Sequence, residues 1–430
     1  MNQVSLDSGE MKTFLKHIIE NNREIQKNGK KPVATEVIGP SGLGKTSVAV
    51  QMAEEYNLDL VKLNLAQIEE LGDLVGFPVR QFQMCKEGAE VKQSEPQFKV
   101  VEEEKTLPGG QVIKVKRKVE VKSEGEQQEC IWVDENAIDQ YAKQGYEFTG
   151  SKRMSYCPPE WIADKGQGGI LMLDDWNRAD IRFIQAVMEL VDRQEYISWK
   201  LPKDWHILLT ANPDDGEYMV NSIDVAQRTR FVSVVMKWNH ERWAEWAESQ
   251  KIDGRCINFV LMHPEIITDR VNPRSITTFF NCISSIKNFN NDLPLIQMVG
   301  EGSVGGEVAT LFTTFINNKL DKLITPKDML LDGTDDYMIR TLHEIIGQGN
   351  DYRADIASVL TTRFINYTVE YSKNNKIDDT IINRISKLVK DEDIFTNDLK
   401  YHVVKKILAG NKTKFSKLLF DSTIQDLATK

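Results

Sequence analysis

A chain of 430 residues with 41% hydrophobic content can build substantial cores, while a net charge of -10 is a poor balance for a dedicated nucleic-acid binder. No apolar run approaches the ~20 residues that span a bilayer, and the opening MNQVSLDSGEMK lacks the basic-then-apolar order of a secretory signal. Five scattered cysteines (Cys85, Cys130, Cys157, Cys256, Cys282) form no C-x-x-C and read as reduced thiols of a cytoplasmic protein; six dispersed histidines offer no zinc site.

Residues 1–31 read as one amphipathic helix, with Met11, Phe14, Leu15, Ile18 and Ile19 at helical spacing, then a polar linker. Val33, Val37 and Ile38 give a short strand. Behind it, Gly39-Pro40-Ser41-Gly42-Leu43-Gly44-Lys45-Thr46 fits G-x-x-x-x-G-K-[ST] in full, and a helix begins at the loop, with Ala49, Met52, Ala53 and Tyr56 on one face. Phosphate oxygens need several donors converging on a small volume. Glycines bend the backbone so that its N–H groups point inward, and the following helix adds the positive end of its dipole. Lys45 would reach the β- and γ-phosphates, and the Thr46 hydroxyl would ligate Mg²⁺. This is a nucleotide-binding P-loop, expected to take its phosphates along Gly39–Ser47.

A second strand follows at Leu58–Leu65, then a glycine-punctuated loop, Gly72–Pro78. Strand–helix–strand alternation predicts a parallel sheet in an α/β domain. Residues 79–156 interrupt it with Glu-, Lys- and Gln-rich sequence. Phe98–Thr106 and Gln111–Val121 flank Pro108-Gly109-Gly110 and predict a β-hairpin, with Glu104 opposite Lys114 and Glu102 opposite Lys116. Glu135–Lys143 reads as a short helix. The sheet resumes at Gly168–Asp175, four apolar residues ending in two carboxylates, as expected of a buried parallel strand with acids at its ligand-facing tip. Asn177–Val191 reads as a helix, Glu195–Lys203 as a short hairpin, His206–Asn212 as a buried strand ending in a polar residue, and Phe231–Met236 as a fifth strand. From Trp238 onward the chain is helical, and a helix starts at Asn272-Pro273-Arg274-Ser275.

With these pieces in order, residues 15–330 resemble the AAA+ ATPases of the MoxR-like, dynein-related branch. Leu173-Asp174-Asp175-Trp176-Asn177-Arg178-Ala179 is similar to the branch's Walker B segment. Asn212 sits where the family places sensor 1. Ala226–Phe231 is similar to the segment ending in the arginine finger, which makes Arg230 the finger and Arg228 the reserve. Asn272–Ser275 resembles sensor 2, carried by Arg274, and Pro158-Pro159-Glu160-Trp161 also looks like a MoxR-type segment. The resemblance implies an AAA+ core over 32–238 with an insert at 79–156, a helical lid over 239–330 and a helical extension over 331–430. It implies a strand order that puts the strand ending at Asn212 between the P-loop and Walker B strands. It implies ATP rather than GTP, with Mg²⁺ held by Thr46 and Asp174, and Asp175, Asn212, Arg230, Arg274 and Lys45 acting on the phosphoryl group. It implies a homo-oligomeric ring, usually a hexamer, with nucleotide between subunits. The hairpins at 98–121 and 195–203 would line its pore. The partner would be one with a von Willebrand A domain, or another protein client remodelled in chaperone-like fashion.

Where the family usually has Glu after the Walker B Asp, this chain has Asp175, one methylene shorter. A nucleic-acid motor is the alternative reading, hinted at only by Lys114, Lys116 and Lys118 on one face of the hairpin. A ring that binds nucleotide without turning it over is a third.

Overall fold

The structure, a computed structural model, describes residues 4–86, 98–106, 112–120, 129–268, 270–318, 323–420 and 424. The chain packs as two units. The first comprises Met1–Ala66, Gly168–Asp180 and Asp204–Lys430; the second comprises Gln67–Gln167 and Ile181–Lys203.

The first unit is built on six strands: β1 (Ser5–Leu6), β2 (Ala34–Ile38), β3 (Asp59–Asn64), β4 (Gly169–Asp174), β5 (Trp205–Ala211) and β6 (Phe231–Met236). Every pairing is parallel, in the order β1-β6-β2-β5-β4-β3. The strand leading to Asn212 therefore lies between the P-loop strand and the Walker B strand. This is an α/β P-loop NTPase sheet of AAA+ order. Both β4 and β5 are buried at every position, which is why GILMLD and WHILLTA run apolar rather than alternating. The edge strand β1 was not expected; two residues leave no periodic signal.

Two helices back the sheet. α1 (Ser8–Lys27) starts at a capping box in which Asp7 accepts from Gly9 and Glu10 amides and Glu10 returns a bond to the Asp7 amide. Its buried Met11, Leu15 and Ile19 join Ala49 and Met52 of α2 (Lys45–Tyr56) over Val37 and Leu208 of the sheet. Beyond β6 the unit is helical. One apolar core runs from Trp243 to Ile424 and crosses residue 331 without a break. Arg363, in helix Ala354–Asn374, ties the two stretches by donating to Glu248 (2.8 Å) and Asn258 (3.0 Å). Among the described residues beyond 335, four α-helices occur and no strand.

In the second unit, Phe77–Lys86 is the centre of a three-stranded antiparallel sheet between Glu129–Asp134 and Glu147–Cys157. The loop expected at 72–78 is instead a helical turn, Leu71–Val75, and the start of this strand. Gly76 makes the corner at φ +85°, and a Cβ there would lie 1.8 Å from the Cys157 carbonyl oxygen. Strands Phe98–Thr106 and Val112–Glu120 pair antiparallel, with Glu102 opposite Lys116 and Glu104 opposite Lys114. Their turn, Pro108-Gly109-Gly110, lies outside the described residues. The helix expected from Asn177 begins at Ile181, because Trp176–Arg178 forms a 3-10 turn; Ile184, Val187, Met188 and Val191 are buried.

The cysteine reading is corrected. Cys85 and Cys130 face each other in the antiparallel register and form a disulfide. A separation of 45 residues hides this neighbourhood, since only strand pairing creates it. The expectation that all five cysteines are reduced thiols therefore fails, and cysteine usage no longer supports a reducing compartment. Among the described residues, no helix is long and apolar enough to cross a membrane.

Candidate functional site

The C-terminal tips of β2, β4 and β5 lie side by side, so the loops leaving them meet at one edge of the sheet. The P-loop leaves β2 with the Gly39 amide donating to the Ala211 carbonyl (3.1 Å). Gly42 and Gly44 adopt φ +81° and +93°. Gly44 precedes α2 as its cap and has no side-chain capping bond, so the first-turn amides keep no internal side-chain acceptor. Gly42 also has no room for a side chain, since a Cβ would meet Asn272 Oδ1 at 2.6 Å and Arg274 Cβ at 3.1 Å. The start of helix Pro273–Ile283 thus lies against the loop apex, fixed by a capping box between Asn272 and Ser275. Arg274 is exposed there and makes no ion pair among the described residues.

Lys45 folds back over its own loop. Its Nζ donates to the Gly39 carbonyl (2.5 Å), the Pro40 carbonyl (3.1 Å) and Asn212 Oδ1 (3.2 Å). Burial pulls its pKa down to about 8; Asp175 and Asp174 oppose this and Arg274 adds to it. Asn212 bridges onward, with Nδ2 donating to Asp175 Oδ1 (3.0 Å). The buried Asn177 side chain clamps the Asn212 backbone from both sides, at 2.8 Å and 3.2 Å. Asp175 has φ +52°, a left-handed conformation that Asp tolerates better than most residues. The Asp175 amide donates to Thr210 Oγ1 (3.1 Å), and the Thr210 hydroxyl donates to Asp174. The other Asp174 oxygen is 2.9 Å from Lys62 Nζ.

The structure therefore brings Lys45, Asp174, Asp175 and Asn212 into one network, with Gly39 to Ser47 around them and Arg274 at the loop apex. It does not bring in Arg228 or Arg230. Both are exposed, and neither makes a hydrogen bond or ion pair with that network among the described residues.

Several residues at the site were not anticipated. Thr210 holds both carboxylate residues and was recoverable only as a polar break in a buried strand. Glu36, in the P-loop strand, is 2% exposed. It accepts from Trp176 Nε1 (2.9 Å) and Ser233 Oγ (2.5 Å), and burial pushes its carboxyl pKa up. It thereby pins the turn that follows Asp175. Tyr218 accepts a hydrogen bond from the Ser41 amide (3.2 Å). Its loop is anchored by Asn221, which bonds the Asn177 and Ala179 carbonyls. Lys62 lies in β3, where only Val61 is buried, and carries no motif.

The donor set fits Mg²⁺. Asp174 and the Thr46 hydroxyl are hard oxygen donors. Among the described residues no group of three His, Cys, Asp or Glu could cage a metal alone. A cation here would take its remaining ligands from phosphate and water, as Mg²⁺ does.

No family model and no curated protein matches the chain. Among solved structures it is similar to the RuvB Holliday junction branch migration motor of Thermotoga maritima, at 12% identity and TM-score 0.30, covering 78% of this chain and 77% of that one. A single-residue variant of that motor overlaps at 12% identity and TM-score 0.32, covering 79% and 76%. At such scores the fold reading rests on the strand order and the P-loop geometry, not on these overlaps.

Proposed function

We propose that the chain is a Mg²⁺-dependent ATPase of the AAA+ type that works as a homo-oligomeric ring and spends ATP on remodelling a protein client. The observation that carries the reading is the Lys45–Asn212–Asp175 chain of hydrogen bonds at the mouth of an uncapped helix. Lys45 leaves its loop carbonyls and binds the β- and γ-phosphates, while the amides of 42–47 take the remaining oxygens. Mg²⁺, held by Thr46 and Asp174, supplies charge neutralisation on the phosphates when bound. Asp175 accepts the proton of the attacking water, and Asn212 orients that water. Arg274 in the same chain and Arg230 from a neighbouring copy meet the charge developing on the transferred group. Client remodelling, a von Willebrand A-domain partner and a cytoplasmic setting rest on the MoxR-like resemblance alone.

Phosphate release from ATP tests the reading. The expected result is Mg²⁺-dependent turnover by the wild type and none by Lys45→Met; equal release by the two would overturn it. Nucleic-acid stimulation that falls steeply with salt would instead support a motor on DNA or RNA.

A pH dependence follows from Lys45. In the free site its ammonium loses its proton near pH 8. Bound phosphates hold the proton on, so above that pH binding must take up a proton and weakens. ADP affinity is expected to fall about tenfold between pH 7 and 9. Titration of a fluorescent ADP analogue across that range checks it, and a flat profile for the wild type would sink the assignment.

A further inference from the structure

The ion pair between Lys62 and Asp174 has no part in the chemistry above, yet it occupies the metal's acid. Asn64 of β3 pairs with Asp174 of β4, and Lys62 pairs with Met172, so all four residues share one face of the sheet. Lys62 stands one side-chain step behind the acid and spans that step to put Nζ 2.9 Å from Asp174 Oδ2. On the far side, Thr210 of β5 donates to Oδ1. Each carboxylate oxygen is thus met by a donor from a different flanking strand. Asp174 is 9% exposed, and a carboxylate so buried needs such partners.

The partners differ in what they can give up. Thr210 is fully buried, and its hydroxyl can keep its bond while the carboxylate faces a metal. The Lys62 side chain is 42% exposed on a flexible stem, so it can swing into water. An ammonium and a divalent cation cannot both crowd one oxygen, because like charges repel at that range.

We propose that Lys62 is a built-in counter-ion of Asp174 that yields its place when Mg²⁺ arrives with nucleotide. It keeps the acid oriented while the site is empty, and it opposes occupation by bare metal. Metal then enters with the phosphates, which supply the charge that lets Lys62 leave. The proposal rests on the Mg²⁺–nucleotide reading above.

The test is ADP affinity of the full chain with Mg²⁺ and with EDTA, for wild type, Lys62→Met and Lys62→Gln. The wild type should bind ADP more tightly with Mg²⁺; equal affinities would refute the Mg²⁺–nucleotide reading itself. If that difference is present, both variants should enlarge it about tenfold, with metal-free ADP affinity within about twofold of wild type. Mn²⁺ added without nucleotide should show protein-bound signal by electron paramagnetic resonance in the variants and little in the wild type. An unchanged Mg²⁺ increment in a variant that keeps metal-free ADP affinity overturns the counter-ion role. A reduced increment also overturns it, because Lys62 would then contact the phosphates directly. Lys62→Gln keeps a hydrogen-bond donor on Asp174 without the charge, so it decides the matter if Lys62→Met does not fold.

Discussion

Arg230→Ala is expected to lower ATP turnover per chain by about 10³-fold or more while leaving ATP affinity near wild type. Arg230 follows the short helix Val225–Arg228 and immediately precedes β6, so its backbone is tied to a strand of the parallel sheet while its side chain stays exposed. That helix opens with a capping box between Asp224 and Gln227, which holds the segment in shape. A guanidinium presented in this way and engaged with nothing in its own site suits a phosphoryl group in a neighbouring copy. Arg228 is different. Its charge acts on the buried Glu36 of its own chain, so Arg228→Ala should act mainly on stability. The measurement is turnover per chain against protein concentration. In the wild type it should rise as chains assemble, and in Arg230→Ala it should stay flat. A constant wild-type value together with a neutral Arg230→Ala would show that the active unit is not a shared-site ring.

Asp175→Asn is expected to cost about 10²–10⁴-fold in turnover, the usual contribution of a positioned general base, with nucleotide binding retained. Asn is the right replacement because it also tolerates the left-handed backbone observed at φ +52° and can still accept from Asn212 Nδ2. Asn also gives up the 3.6 Å ion pair with Arg178 within the turn, so retained nucleotide binding is the control that assigns a loss of turnover to the missing base. Single-turnover phosphate release measures it; turnover within threefold of wild type would remove Asp175 from the reaction. Asp175→Glu asks a separate question, whether the shorter acid limits the rate. An Asp175→Glu chain no faster than wild type would show that the turn already places Asp175 well.

Much of the site was legible because its chemistry is local in sequence. Eight consecutive residues specify the P-loop, since the amides that bind phosphate belong to neighbouring peptides. The paired acids were legible because the apolar run they end follows a P-loop; without that loop, an apolar run into two carboxylates reads equally well as an ordinary strand entering an acidic turn. Strand positions were legible because β4 and β5 are buried on both faces and show it in composition. Thr210, Glu36 and Lys62 were not legible. Each acts on a residue more than 30 positions away, through strand pairing that no local pattern encodes. The disulfide between Cys85 and Cys130 escaped in the same way.

By itself, then, the sequence determined that this protein builds a phosphate-binding loop on a parallel sheet with two acids at a strand tip, because loop conformation and burial on both faces depend on residues next to one another. Only the tertiary structure decided which donors hold those acids, where Lys45 rests and that Arg230 stands apart from its own site. Those depend on the sheet order β2-β5-β4-β3, which sets side by side strands that lie far apart in the chain.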